Sequence, residues 1–205
     1  MIAIIDYKIN NLDSVKNALD KLGIPAVVTS NKTEIQNATA LILPGVGAAG
    51  EGMKNLKKNK LDRVIIEEVK KGKPILGICL GMQLLMEKSE EGNADCLGLI
   101  AGKVKKFNSG MKVPQIGWNE VKISNSKFSV FDEISDKSLF YFVHSYFCVP
   151  KDKELTVGIT EYGSKYCSIF TKDNIVGVQF HPEKSGKVGF QVLKNFYKFY
   201  NNYAN

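Results

Sequence analysis

Pro74-Ile75-Leu76-Gly77-Ile78-Cys79-Leu80-Gly81-Met82-Gln83-Leu84-Leu85-Met86 reads as a strand that passes through a sharp turn into a helix, with a cysteine at the turn. The apolar run 74–78 has the length and composition of a buried strand. Glycines stand two residues before and two after Cys79. A strand-to-helix elbow is so tight that those positions must be small. Such a turn sets the nucleophile at the C-terminal edge of a sheet, where open α/β folds bind ligands. It also puts Cys79 at a helix N-terminus, where free N–H groups and the helix dipole favour a thiolate. The N–H of Leu80 points the same way and can serve an oxyanion. The competing reading is a cysteine buried for packing, since cysteine is among the most buried residue types. That reading suits Cys96, Cys148 and Cys167; the two glycines set Cys79 apart.

Outward from the elbow, the first half alternates strands and helices. Ile2 to Ile5, Ala26 to Thr29 and Ala40 to Leu43 are short apolar runs. Leu12, Val15, Leu19 and Leu22 recur at helical spacing, with Asn10 or Asn11 as a cap and Gly23 as a stop. Leu61, Val64, Ile65 and Val69 define a second helix that ends at Gly72. This βαβα order predicts a buried parallel sheet covered by helices. The second half reads as short β runs: 104–107, 121–123, 140–143, 146–149, 156–159, 166–171 and 175–180. Turn residues separate them, among them Asn108-Ser109-Gly110 and Lys172-Asp173-Asn174. Val188, Val192, Phe196, Phe199 and Tyr203 can share one face of a closing helix. The expected fold is α/β, an open, mostly parallel sheet flanked by helices with an added antiparallel β section, in one domain over 1–205.

Composition narrows the function classes. The chain has 205 residues, 44% of them hydrophobic and 24% charged, a globular mix rather than a disordered or fibrous one. No apolar run approaches the ~20 residues of a membrane span, and Met1 to Asp6 has no secretory pattern. The net charge is +7, but only Arg63 among the 28 basic residues is arginine. Nucleic-acid readers lean on arginine forks and on aromatic residues interleaved with basic ones, so a solvated lysine surface is the simpler reading. The four cysteines form no C-x-x-C pair, which excludes the common zinc patterns. There are two histidines, His144 and His181, so any histidine chemistry must use one of them.

Gly177-Val178-Gln179-Phe180-His181-Pro182-Glu183-Lys184-Ser185 delivers His181 to the end of a β run. In extended backbone, positions 181 and 183 project to one side, so Glu183 can orient the imidazole. Cys79, His181 and Glu183 are then the parts of a thiol acyl-transfer triad. His144 lies in an apolar run and suits a core or edge role. Leu43-Pro44-Gly45-Val46-Gly47 follows a strand and exposes N–H groups that could complete an oxyanion hole, although alone it could be a plain turn.

Together these segments resemble the class I (triad) glutamine amidotransferases, whose marks are a Pro-Gly-Val-Gly loop, a Gly-x-Cys-x-Gly-x-Gln elbow and a His-Pro-Glu. Within that class the sequence is most similar to the glutaminase subunit of imidazole glycerol phosphate synthase. Asp6-Tyr7, Asn11-Leu12, Pro114 with Gly117-Trp118-Asn119, and Tyr141 to Tyr146 carry the closer match. Phe180 to Ser185 and Leu193 to Phe196 add to it. The resemblance implies hydrolysis of L-glutamine to glutamate and ammonia by Cys79, His181 and Glu183. It implies oxyanion donors at Val46 or Gly47 and at Leu80, and glutamine contacts at Gly45, Gln83, Ser145, Tyr146 and Phe147. It implies no metal or cofactor, a cytoplasmic setting, and a heterodimer with a (β/α)8 cyclase that receives the ammonia. The sequence departs from the family at Lys8 and Asn10, where glycines are usual, and at Gln115, where histidine is usual. A paralogue serving a surface-sugar amidotransferase, a γ-glutamyl peptide hydrolase and a cysteine-elbow redox or stress protein are the alternatives at this point.

Overall fold

The computed structural model describes residues 1–8, 11–108, 110–124 and 129–203, with backbone only for 201–203. Asn10, Ser109 and the side chain of Tyr203, each given a role above, lie outside the described residues.

Five strands form the parallel part of the sheet: β1 (Ile2–Ile5), β2 (Ala26–Thr29), β3 (Ala40–Leu43), β4 (Ile75–Ile78) and, from the far end of the chain, β13 (Ile175–Val178). They lie in the order β2-β1-β3-β4-β13. Each is apolar on both sides because helices cover both faces. On one face α1 (Leu12–Lys21) and α6 (Gly186–Tyr203) bury Val15, Leu19, Leu193 and Phe196 against Ile4, Ile42 and Ile78. On the other, α2 (Lys32–Asn37), α3 (Ala49–Lys58) and α4 (Leu61–Lys70) bury Ile35, Leu56 and Ile65 against Ile5, Leu43 and Ile75.

The antiparallel section grows from β13. Strand β12 (Ser164–Lys172) pairs with it, and β10 (Tyr146–Pro150), β7 (Ile100–Lys106), β5 (Met86–Ser89) and β6 (Ala94–Asp95) follow in order, with β5 parallel to β7 and the other pairs antiparallel. Beside β12 lies β11 (Thr156–Tyr162), which pairs in turn with β8 (Gln115–Ile123). Strands β8 and β9 (Ser138–His144) form a hairpin folded back over the edge of the site.

Two helices, α2 and α3, have no counterpart in the sequence reading. Helix α3 carries Gly50 and Gly52, poor helix formers, and its burial against α4 and the elbow sustains it. The helix after Cys79 is shorter than expected. α5 covers Leu80–Leu84 only, and the chain re-enters the sheet as β5 at Met86. Every residue from 80 to 86 is buried, so no polar face marked the change of period.

Candidate functional site

The elbow is built by contact. A Cβ on Gly81 would overlap the Leu43 carbonyl, and one on Gly77 would come within 2.8 Å of the Met82 nitrogen. Cys79 itself takes φ 52°, a strained backbone for a side chain, and its N–H bonds the Val178 carbonyl at 2.8 Å. The sulfur is buried at the head of a cavity of about 450 Å³.

Glu183 reaches His181 by a different route from the extended one expected. Residues 182–184 form a 3-10 turn opened by Pro182, whose fixed φ suits a first helical position. This turn folds Glu183 back so that His181 Nδ1–H donates to its Oε1 at 2.7 Å. Ser185 Oγ locks the turn by donating to the His181 carbonyl at 2.6 Å while accepting the Tyr141 N–H at 3.0 Å. Burial disfavours a charged imidazole, but the facing Cys79 and Glu183 more than offset it and raise the His181 pKa to about 10. The same pairing, with Asn11, holds the Glu183 carboxyl below the usual range in spite of its burial. Nε2 of His181 is buried and makes no hydrogen bond among the described residues. The pair therefore presents a protonated imidazole on the Cys79 side.

The other cysteines are inert by contrast. Burial pushes the Cys148 thiol well up, that of Cys167 to about 12 and that of Cys96 to about 11.

Asn11 Nδ2 donates to the same Glu183 oxygen at 2.7 Å. Asn11 stands at the start of α1, but in left-handed backbone (φ 88°), and its side chain caps nothing. The capping role expected of it is replaced by a hydrogen bond to Glu183. Lys8 also takes a left-handed φ of 64°, its N–H on Asp6 Oδ1 and its ammonium on Oδ2.

Val46, Gly47, Cys79, Leu80, Gln83, Ser145 and Tyr146 all line the cavity. Phe147 does not; it lines another cleft, and its ring is tilted against that of Phe107 at 5.0 Å between centroids. Gly45 contributes backbone: its carbonyl accepts the Leu80 N–H at 3.3 Å, and a Cβ there would overlap the Tyr7 hydroxyl. Glu91, to which the sequence pointed in no way, also lines the cavity, its carboxylate fixed by the Ala49 N–H at 2.8 Å.

His144 is buried beside the site. Its Nδ1–H donates to the Tyr146 carbonyl at 2.8 Å. Its Nε2 lies 3.3 Å from the Tyr166 hydroxyl, which donates to Gln115 Oε1 at 3.0 Å. Burial lowers its pKa to about 4, so it is neutral near pH 7 and structural. Gln115 fills the place of the family's histidine as a buried acceptor behind it.

The chain matches the family model described as glutamine amidotransferase class-I over residues 3–199. It is 45% identical over 199 residues to imidazole glycerol phosphate synthase subunit HisH of Dehalococcoides mccartyi strain CBDB1, covering 97% of each chain. It is 48% identical over 196 residues to the protein of that name from Moorella thermoacetica, covering 95% of this chain and 93% of that one. Among solved structures, one titled PurLQS from Thermotoga maritima superposes with a TM-score of 0.77 at 22% identity. The match spans 100% of this chain and 98% of that chain, a likeness of fold. With a match to that model over nearly its whole length and relatives above 40% identity, the chain belongs to the class-I glutamine amidotransferases.

Proposed function

We propose that this chain is the glutaminase subunit of an imidazole glycerol phosphate synthase in histidine biosynthesis, working in the cytoplasm. It hydrolyses L-glutamine to glutamate and ammonia and passes the ammonia to a (β/α)8 cyclase subunit. The observation that carries the reading is the imidazole of His181, held by Glu183 at 2.7 Å and facing Cys79 at the head of the cavity. The near full-length similarity to proteins named for that subunit supports the pathway.

The chemistry follows from the geometry. The Cys79 thiolate attacks the side-chain amide carbon, and the carbonyl oxygen becomes an oxyanion. Backbone N–H groups of Val46 or Gly47 and of Leu80 stabilise it. The Leu80 N–H is held by the Gly45 carbonyl in the free chain and exchanges that partner for the oxyanion. His181 Nε2–H protonates the departing nitrogen, and ammonia leaves a thioester. The now neutral His181 takes a proton from water, which attacks the thioester and frees glutamate and thiolate. Glu183 holds the tautomer throughout. Glu91 is the one charged side chain among the described lining residues, and its carboxylate suits the α-ammonium of glutamine.

Ammonia in neutral water is mostly ammonium, which is no nucleophile, so transfer has to be sheltered. The β8–β9 hairpin at the mouth leaves Ile116, Trp118 and Leu139 more than half exposed, with Trp118 edge-on to Tyr141. A contiguous apolar face of this kind suits a docked subunit. The Val143 carbonyl of the same hairpin lies 3.8 Å from Cys79 Sγ, which links that face to the nucleophile.

The test is reconstitution with the cyclase subunit. Cys79→Ala should abolish glutamine-dependent imidazole glycerol phosphate synthesis and leave synthesis from added ammonium salt intact. Retention of the glutamine-dependent rate would end the reading.

A further inference from the structure

Gln179 lies between the end of β13 and the catalytic turn and is fully buried. Its Nε2 is 3.6 Å from Cys79 Sγ. Its Oε1 accepts from Gln83 Nε2 at 3.1 Å, and the second hydrogen of that Gln83 amide goes to the Tyr146 carbonyl at 2.9 Å.

The orientation of these amides is fixed by donor and acceptor chemistry as well as by distance. A backbone carbonyl can only accept, so Gln83 must turn its NH₂ toward Tyr146, and that NH₂ also faces Gln179. Gln179 must then answer with oxygen, and its own NH₂ is left for the sulfur. The Tyr146 carbonyl is in turn pinned by the His144 N–H at 2.8 Å. The chain of donors ends on the reacting atom.

We propose that Gln179 is a catalytic residue that donates an N–H to the Cys79 thiolate, with Gln83 and Tyr146 as the positioning pair that aims it. The inference rests on Cys79 being the nucleophile. It also answers a need, because α5 is a single five-residue turn and offers little helix dipole to the sulfur. Gln179 supplies a directed donor instead, and His181 adds the charge of its imidazolium.

The net benefit has a definite form. A donor that makes the thiol ten times more acidic raises the thiolate fraction about tenfold at any pH below the titration. The same donor makes the sulfur less nucleophilic, by about threefold, for a Brønsted slope near ~0.45. Below the titration the cysteine is therefore about threefold more reactive for each such tenfold gain in acidity, and above it less reactive.

His181, Tyr7 after β1, Cys148 on β10 and Tyr166 on β12 interact electrostatically with Cys79, and Glu183 of the 3-10 turn and His144 on β9 interact with His181. Burial raises the tyrosines and Cys148 and keeps His144 neutral, so none of these titrates between pH 5 and 9.

The experiment is alkylation of Cys79 by iodoacetamide in the cyclase complex, read by site-resolved mass spectrometry from pH 5 to 9. Gln179→Leu should move the acid limb up by about one pH unit, making the sulfur about threefold slower at pH 6 and faster once above the limb. Gln179→Glu, the same shape with a charge turned toward the sulfur, should move it further and cut kcat/KM for glutamine at least tenfold. If Gln179→Leu does not fold, the Glu variant decides the matter in the same way. A limb that stays in place in either folded variant, or a uniform loss with no crossing, overturns the proposal. Because alkylation needs no glutamine, that outcome leaves the glutaminase reading standing, whereas an active Cys79→Ala complex would remove both.

Discussion

Asn11 and Glu183 are 172 residues apart in the chain, yet the amide of one donates to the carboxylate of the other at 2.7 Å. The oxygen that accepts from Asn11 is the one that accepts from His181, while Oε2 is buried with no partner among the described residues. Asn11 thus fixes which oxygen faces the imidazole. Its left-handed backbone admits glycine without strain. Asn11→Gly should lower kcat about tenfold, in keeping with the ~1.5 kcal/mol of a hydrogen bond to a charged group, and leave KM for glutamine within twofold. A variant with kcat unchanged would show that the amide does not position the triad.

The two histidines shift in opposite senses, and so do their contributions to stability. His181 is raised from 6.5 to about 10, so it contributes fully below pH 6.5 and loses that contribution as pH climbs through 10. His144 is lowered to about 4, so it contributes above pH 6.5 and loses that contribution as pH falls toward 4. Thermal unfolding followed against pH should flatten on the alkaline side in His181→Gln and on the acid side in His144→Gln. The reverse assignment, or flattening of both sides in one variant, would refute these protonation states.

Gly81 at the elbow and Gly50 on α3 differ in kind. Gly81→Ala places a Cβ against the Leu43 carbonyl, a backbone atom that cannot turn aside. Its cost should be at the upper end of ~1–3 kcal/mol for overpacking, a fall of roughly 5 °C or more in Tm, with loss of glutaminase activity. Gly50→Ala, in the first turn of α3, meets open space and gains helix propensity of at most about 1 kcal/mol, so its Tm should rise by up to roughly 2–4 °C. Equal effects of the two changes in calorimetry would remove the steric account of the elbow.

The exposed hairpin makes a claim about association. Trp118→Ala should weaken the cyclase complex about 30-fold, the ~2 kcal/mol expected of a central aromatic anchor. Isothermal titration is the measurement, and an unchanged Kd would move the docking face elsewhere.

The parallel sheet was legible because strands covered on both faces read as uninterrupted apolar runs, as in Ile2–Ile5 and Ile75–Ile78. The elbow was legible because its two glycines answer to local sterics. Local pattern reached no further. Strand β8 starts at Gln115, six residues before the run 121–123, because its Gly117, Asn119 and Glu120 disguise it and only pairing with β9 reveals it. Pro182 turned an expected extended stretch into a 3-10 turn that still joins His181 to Glu183. Asn11, Glu91 and Gln179 act across 172, 42 and 100 residues respectively. The contacts of Asn11 and Gln179 come from the crossing of β13 between β4 and β12, and that of Glu91 from the packing of its turn on α3, neither of which local periodicity encodes.

The central claim is that glutamine is cleaved through a thioester on Cys79. Rapid acid quench of the cyclase complex during glutamine turnover, followed by peptide mass spectrometry, tests it most directly. We expect a γ-glutamyl adduct on the peptide carrying Cys79, and none on those carrying Cys96, Cys148 or Cys167. Steady turnover with no adduct on Cys79, or with the adduct on another cysteine, would contradict the account.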